Sequence, residues 1–198
     1  MIQARLAAPR RAARVTGLIL GAALLRSLLL PLGDLFSTSV FAGCLLAITW
    51  FERSVPTLPS PRGGGKLSGL LIGGQAFVAG VMVGAILLAP VVTGSLTARP
   101  ASAFLPWAAV AAVVATLEET SIRGVLYRRW EGEAGTAAAI IVGAAVFALI
   151  HLPRYGLGAM PLDASVGLAL GGLRALTGRV LPCVVAHTVA DWGAWFWA

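Results

Sequence analysis

Residues 108–123 read AAVAAVVATLEETSIR, an almost wholly apolar run that meets two glutamates, Glu118 and Glu119, and then Arg123. The pattern recurs twice. Residues 138–150, AAIIVGAAVFALI, lead straight into His151, and residues 180–191, VLPCVVAHTVAD, carry His187 and Asp191. These are the only two histidines of the chain. A charge at bilayer depth costs about 2.5–3.5 kcal/mol on insertion scales, so an ionisable residue inside such a run marks a functional site by default. The runs therefore read as membrane helices and their interruptions as chemistry.

Composition agrees. Of 198 residues 58% are hydrophobic and 12% charged, where a soluble globular chain is about 25% charged. The net charge of +7 does not point to nucleic acid. Its basic residues form no solvated patch with interleaved aromatics but sit in short stretches between apolar runs, as membrane topology requires. Cys44 and Cys183 both lie in apolar segments and read as small buried hydrophobes, not as a disulfide framework or a metal knuckle.

Working outward, the chain divides into about seven apolar runs. Arg5, Arg10, Arg11 and Arg14 precede the first, 15–32, which Arg26 interrupts. No small-residue cleavage site follows, so this run reads as a retained helix in which Arg26 snorkels or faces the bundle. The second run is 36–51. A polar linker follows at 52–66, ERSVPTLPSPRGGGK, whose prolines and glycines exclude regular structure. The remaining runs are 67–92, 101–130, 134–152, 163–176 and 180–197. Pro153 is expected to end the fifth, leaving YGLGAMPL (155–162) as irregular backbone that neighbouring protein must shield. Gly69, Gly73, Gly80, Gly84, Gly167 and Gly171 permit close helix contact.

The expected fold is an all-α polytopic transmembrane bundle of about seven spans. Residues 1–66 form an N-terminal part of basic arm, two helices and linker; 67–198 form the main bundle. With the N-terminus cytoplasmic, Arg53, Arg62, Lys66, Arg128, Arg129, Arg174 and Arg179 fall on the same side and Arg99 and Arg154 on the other, as the positive-inside rule asks. A helix over 102–130 would be about 43 Å long at 1.5 Å per residue, longer than a hydrocarbon core of about 30 Å. Letting its basic end protrude puts Glu118, His151 and His187 in one layer nearer the cytoplasmic side.

The residue types define the chemistry. Glu119 and Arg123, four apart with the acid first, suit a helical ion pair. Glu118 points about 100° away from Glu119 and has no basic neighbour one turn on, which leaves it free to accept a proton. His187 and Asp191, also four apart, suit an imidazole oriented by a carboxylate, a pair of metal ligands or a simple helix hydrogen bond. Two schemes fit. Glu118 and His151 hold and deprotonate a water while His187 and Asp191 organise the developing oxyanion. Alternatively a zinc held by Glu118, His151 and His187, with Asp191 as a further ligand, activates the water. No HExxH helix and no GxSxG elbow is present, so activated water is favoured over a covalent acyl-enzyme.

EETSIR (118–123), FALIH (147–151) and HTVAD (187–191) resemble, in order, the EExxxR, FxxxH and HxxxN motifs of the CPBP family, the CAAX proteases and bacteriocin-processing enzymes also called Abi. RGVLYRRW after the first motif and GLALGGLRALTGRVLP before the third are similar too, and the resemblance covers 101–198. It implies a glutamate-dependent intramembrane endopeptidase like the type II CAAX prenyl endopeptidases. Glu118 would be the general base beside His151, His187 and position 191 would stabilise the oxyanion, and Glu119 with Arg123 would shape the site. No cofactor is required on that reading, with zinc as the alternative. Two positions depart from the pattern: Ile122 replaces an aromatic, and Asp191 replaces the final asparagine. A carboxylate cannot donate to an oxyanion unless protonated.

The expected partners are the lipid bilayer and a membrane-associated peptide or protein substrate, with no nucleic acid. The expected location is the plasma membrane of a prokaryote, with the active site towards the cytoplasmic side. The rival readings are a non-catalytic immunity or scaffold protein that keeps the pocket, and a small proton-coupled transporter. The transporter would show paired interrupted helices in matching halves, which the sequence lacks.

Overall fold

Each apolar run becomes a helix because lipid offers the backbone no hydrogen-bond partner, so each segment satisfies its own. The computed structural model describes residues 9–53, 73–88 and 103–197. Helix α1 (Pro9–Leu29) ends in a 3-10 turn (Leu30–Leu32), and Gly33 at φ +116° turns the chain into α2 (Asp34–Arg53). Then come α3 (Gly73–Leu87), α4 (Phe104–Ala134), α5 (Thr136–Tyr155), α6 (Met160–Thr177) and α7 (Leu181–Trp197). No strand occurs among the described residues. The protein is an all-helical integral membrane protein. Four of these helices, α1 with its 3-10 turn, α2, α4 and α5, are long and apolar enough to cross a bilayer; α3 is apolar but shorter. Linker residues 54–66, the boundary at residue 66, Arg5 and Gly69 lie outside the described residues.

The core joins α1 and α2 to the later helices. Val15 and Ile19 of α1, Phe41 and Leu45 of α2, Ile122 and Leu126 of α4 and Phe147 of α5 bury one another. Helix α3 packs on α7 with chain numbers rising together. A Cβ on Gly80 would meet Val185 Cβ at 2.7 Å, and one on Gly84 would meet Ala186 O at 2.7 Å. At Gly167 of α6 a Cβ would stand 2.7 Å from Ala144 Cα of α5. Glycine is what lets these pairs approach.

Helix α4 has a wide π-helical turn, Thr120–Leu126, between two α-helical parts. Every residue from Ser121 to Tyr127 is buried, so neighbours surround α4 here on all sides. Arg174 Nε donates to the Arg123 carbonyl at 3.0 Å, supplying a backbone acceptor of the wide turn from outside the helix. Such turns recur at functional sites.

One expectation is corrected. Pro153 does not end α5, which continues to Tyr155. A proline so near the end removes one amide bond while its φ remains helical. The stop comes at Gly156, whose φ of +75° breaks the helix while its amide still donates to Leu152 O at 2.9 Å. YGLGAMPL is accordingly not irregular backbone. It forms a 3-10 turn (Leu157–Ala159) and the start of α6, and residues 153–158 are exposed.

The level of the polar layer differs from helix to helix. Glu52 receives both Arg14 and Arg129 at one end of the bundle, where Trp130 Nε1 also donates to Thr16 Oγ1. Arg154 pairs with Asp34 at the other end. Glu118 is about 17 Å along α4 from Arg129, whereas His151 is about 5 Å along α5 from Arg154. Along α5 the polar layer is thus near the Arg154 end. Along α4, by contrast, Glu118 is about 21 Å from Phe104, and along α7 His187 is about 9 Å from Leu181 and about 15 Å from Trp197, so those two helices place it nearer their basic-side ends. Arg26 faces the bundle, donating to Thr38 Oγ1 at 3.1 Å and lying over the Phe41 ring.

Candidate active site

The adjacent glutamates of α4 diverge as their helical phase requires. Glu119 is fully buried, and its Oε1 accepts from Arg123 Nη1 at 2.8 Å and from His187 Nδ1 at 3.0 Å. The ion pair expected from sequence is present, and it also holds a histidine of α7. Arg123 Nη2 donates further to Gly167 O at 3.2 Å, and its guanidinium lies 4.7 Å over the Phe147 ring. The close approach of α6 to α5 at Gly167 brings that carbonyl within reach.

Glu118, 3% exposed, points to the other side. Its Oε2 stands 3.9 Å from His151 Nε2 and 3.9 Å from His187 Nε2, and Asp191 Oδ2 is 3.7 Å from the same His187 nitrogen. These separations exceed a hydrogen bond and suit a bridging water or ion. The Phe147 ring packs against both imidazoles, its centroid 4.5 Å from that of His151 and 5.3 Å from that of His187. Exposure rises from Glu118 through His151, 14%, to Asp191, 37%. The site therefore opens on the side of Asp191 and the end of α5.

Hydrogen bonding fixes the imidazole roles. His151 Nδ1 meets the Phe147 carbonyl at 2.8 Å. A carbonyl oxygen only accepts, so Nδ1 carries a proton. His187 Nδ1 likewise donates to Glu119, whose oxygen already accepts from Arg123. Both Nε2 atoms therefore face Glu118 and are lone-pair acceptors when the rings are neutral. Asp191 addresses the Nε2 side of His187, so the carboxylate that orients this ring through Nδ1 is Glu119. Sequence spacing suggested Asp191 because the two share a helix; the Glu119 contact spans 68 positions and arises only from packing.

The donor set fits a metal. One ligand atom each from Glu118, His151 and His187 lie within 4.8 Å of one another. Each histidine has its other ring nitrogen engaged by a carbonyl or carboxylate, as metal-binding histidines usually do.

All six residues expected from sequence (Glu118, Glu119, Arg123, His151, His187 and Asp191) meet in this one layer. Three further residues join them. Gly167 receives Arg123; Asp163 of α6 has Oδ2 buried without a hydrogen-bond partner; and the Tyr155 ring stacks on His151, centroids 5.8 Å apart and 17° from parallel. Tyr155 was legible as the next step of an aromatic i, i+4 series, Phe147, His151, Tyr155, but Pro153 argued against helix there.

Residues 100–193, which contain this whole layer, match the family model described as type II CAAX prenyl endopeptidase Rce1-like. This stretch is similar to the Rce1-like family. The match agrees with the CPBP/CAAX protease resemblance of the three motifs and gives the Rce1-like domain the character of a membrane protease. No curated protein and no solved structure matches the chain.

Proposed function

We propose that this protein is a glutamate-dependent intramembrane endopeptidase acting on a membrane-associated substrate of the prenylated-CAAX or leader-peptide type. The observation that carries the proposal is the gap of 3.9 Å between Glu118 Oε2 and each of two Nε2 atoms, wide enough for one water held on three sides. Glu118 removes a proton from that water as its oxygen attacks the peptide carbonyl, with His151 Nε2 orienting it. His187 and Asp191 border the developing oxyanion. When the tetrahedral intermediate collapses, Glu118 returns the proton to the leaving amine. Glu119 and Arg123 act on His187, not on substrate.

On this reading no metal is required. The engaged Nδ1 atoms also favour a second version in which zinc sits on Glu118, His151 and His187, with Asp191 as a further ligand. Zinc would lower the pKa of its bound water. We further propose that all seven helices cross the plasma membrane of a prokaryote with the basic end cytoplasmic. Measured along α4 and α7, the catalytic layer then lies towards the cytoplasmic side.

The test is cleavage of a quenched library of membrane-anchored peptides by purified protein, wild type against Glu118→Gln, with and without chelator. Cleavage lost in the variant and indifferent to chelator supports the metal-free mechanism. Loss on chelation restored by zinc supports the metal version. Equal cleavage by the variant overturns both.

A further inference from the structure

The proposed hydrolysis develops a negative charge on the peptide oxygen in a site already lined by the carboxylates of Glu118, Glu119 and Asp191. Asp191, at the position nearest His187 Nε2, is an acceptor in its ionised form and supplies no hydrogen bond to an oxyanion. His187 Nε2 donates only when the ring is protonated, because Nδ1 already holds one proton towards Glu119. A donor that does not depend on the charge of His187 is presented by α5. Because α5 runs through Pro153 to its last residue, Tyr155 stands one turn beyond His151 on the same face, its ring stacked on the imidazole.

Arg154, ion-paired to Asp34, hydrogen-bonds the Tyr155 hydroxyl, with its guanidinium 5.8 Å from the ring centre. Arg26, Glu118 and Asp191 are close enough to act on it electrostatically. A guanidinium has donors and no acceptor, so the phenol accepts from Arg154 and keeps its own proton free for a substrate oxygen. The ring is about half exposed, on the side where the site opens.

Resting on the peptidase reading above, we propose that Tyr155 is a catalytic residue that donates a hydrogen bond from its phenol to the oxyanion of the tetrahedral intermediate. The phenol keeps its proton throughout. Water oxygen bonds to the carbonyl carbon, the carbonyl pair moves to oxygen and is held by the O–H, and collapse restores the double bond as the amine leaves with the proton from Glu118.

The test is steady-state cleavage by Tyr155→Phe, which keeps the stacked ring and removes only the donor, with the melting temperature in detergent measured alongside. We expect kcat to fall about 100-fold at unchanged KM, as when one oxyanion donor is lost. Asp191→Asn in the Tyr155→Phe background, which supplies an amide donor nearby, should recover part of that loss. A binding readout makes the same case: a phosphonate analogue of the cleaved peptide should weaken by a similar factor, while the uncleaved peptide binds as before. Wild-type kcat in Tyr155→Phe, or a raised KM with kcat unchanged, overturns the assignment and leaves the peptidase intact. A wild-type chain no more active than Glu118→Gln overturns the peptidase reading and this inference with it.

Discussion

Two charge clusters of this bundle, each centred on a buried glutamate, are built differently. At the basic end Glu52 is closed off by its partners. One carboxylate oxygen takes Arg14, the other takes Arg129 at 3.1 Å, and Arg129 also donates to the Glu52 carbonyl at 3.0 Å. In the polar layer of α4, α5 and α7, Glu118 meets two imidazoles across 3.9 Å each, with Asp191 at 3.7 Å from one of them. The first cluster compensates charge within the protein. The second leaves room for something else between its members. Burying ions is costly and is offset only by close pairing, and the proposed water would fill the gaps retained at three contacts in this layer. Glu119 shows that the spacing is not a general looseness, for its contacts with Arg123 and His187, beside the same layer, are 2.8 and 3.0 Å.

This contrast can be broken by substitution. The largest effect is expected for Glu118→Gln: cleavage should fall at least 1,000-fold, within the range of general-base loss, with helix content by circular dichroism and melting temperature unchanged. Arg123→Met should cost about 3–5 kcal/mol, because it strands a buried carboxylate; denaturant titration in detergent reads this, and kcat should fall too as His187 loses its hold. Glu52→Gln should act the opposite way to Glu118→Gln, lowering stability by about 2–3 kcal/mol as Arg14 and Arg129 lose a charged partner, with cleavage per folded molecule preserved. Gly84→Val should cost about 1–3 kcal/mol by pushing α3 from α7 next to Ala186, measurable as a lower melting temperature. The smallest loss, about 1 kcal/mol, is expected for Ser121→Ala, which removes the 2.9 Å hydrogen bond to Thr49 that ties α2 to the wide turn.

Much of this was readable along the chain because lipid makes charge conspicuous. Glu118, Glu119, Arg123, His151, His187 and Asp191 stood out against apolar runs, and i, i+4 spacing anticipated the Glu119–Arg123 pair. What escaped the sequence depended on contacts between helices. The His187–Glu119 bond joins α7 to α4, and Gly167 matters through a carbonyl that every residue possesses. The wide turn at Thr120–Leu126 has no signature of its own in EETSIRGVL. A proline in a helix interior is a stop, whereas within the last turn it removes a single bond, so Pro153 masks the helical register that carries Tyr155.

On the proposed mechanism Glu118 activates water for peptide hydrolysis within the bundle. The most direct measurement is mass-spectrometric cleavage of a membrane-anchored peptide by purified wild type and Glu118→Gln in nanodiscs, in water enriched in oxygen-18. Wild type should cut at one bond and place one heavy oxygen in the new carboxylate, while Glu118→Gln, equally folded, should leave the peptide intact. Cleavage by Glu118→Gln at the wild-type rate would contradict the account.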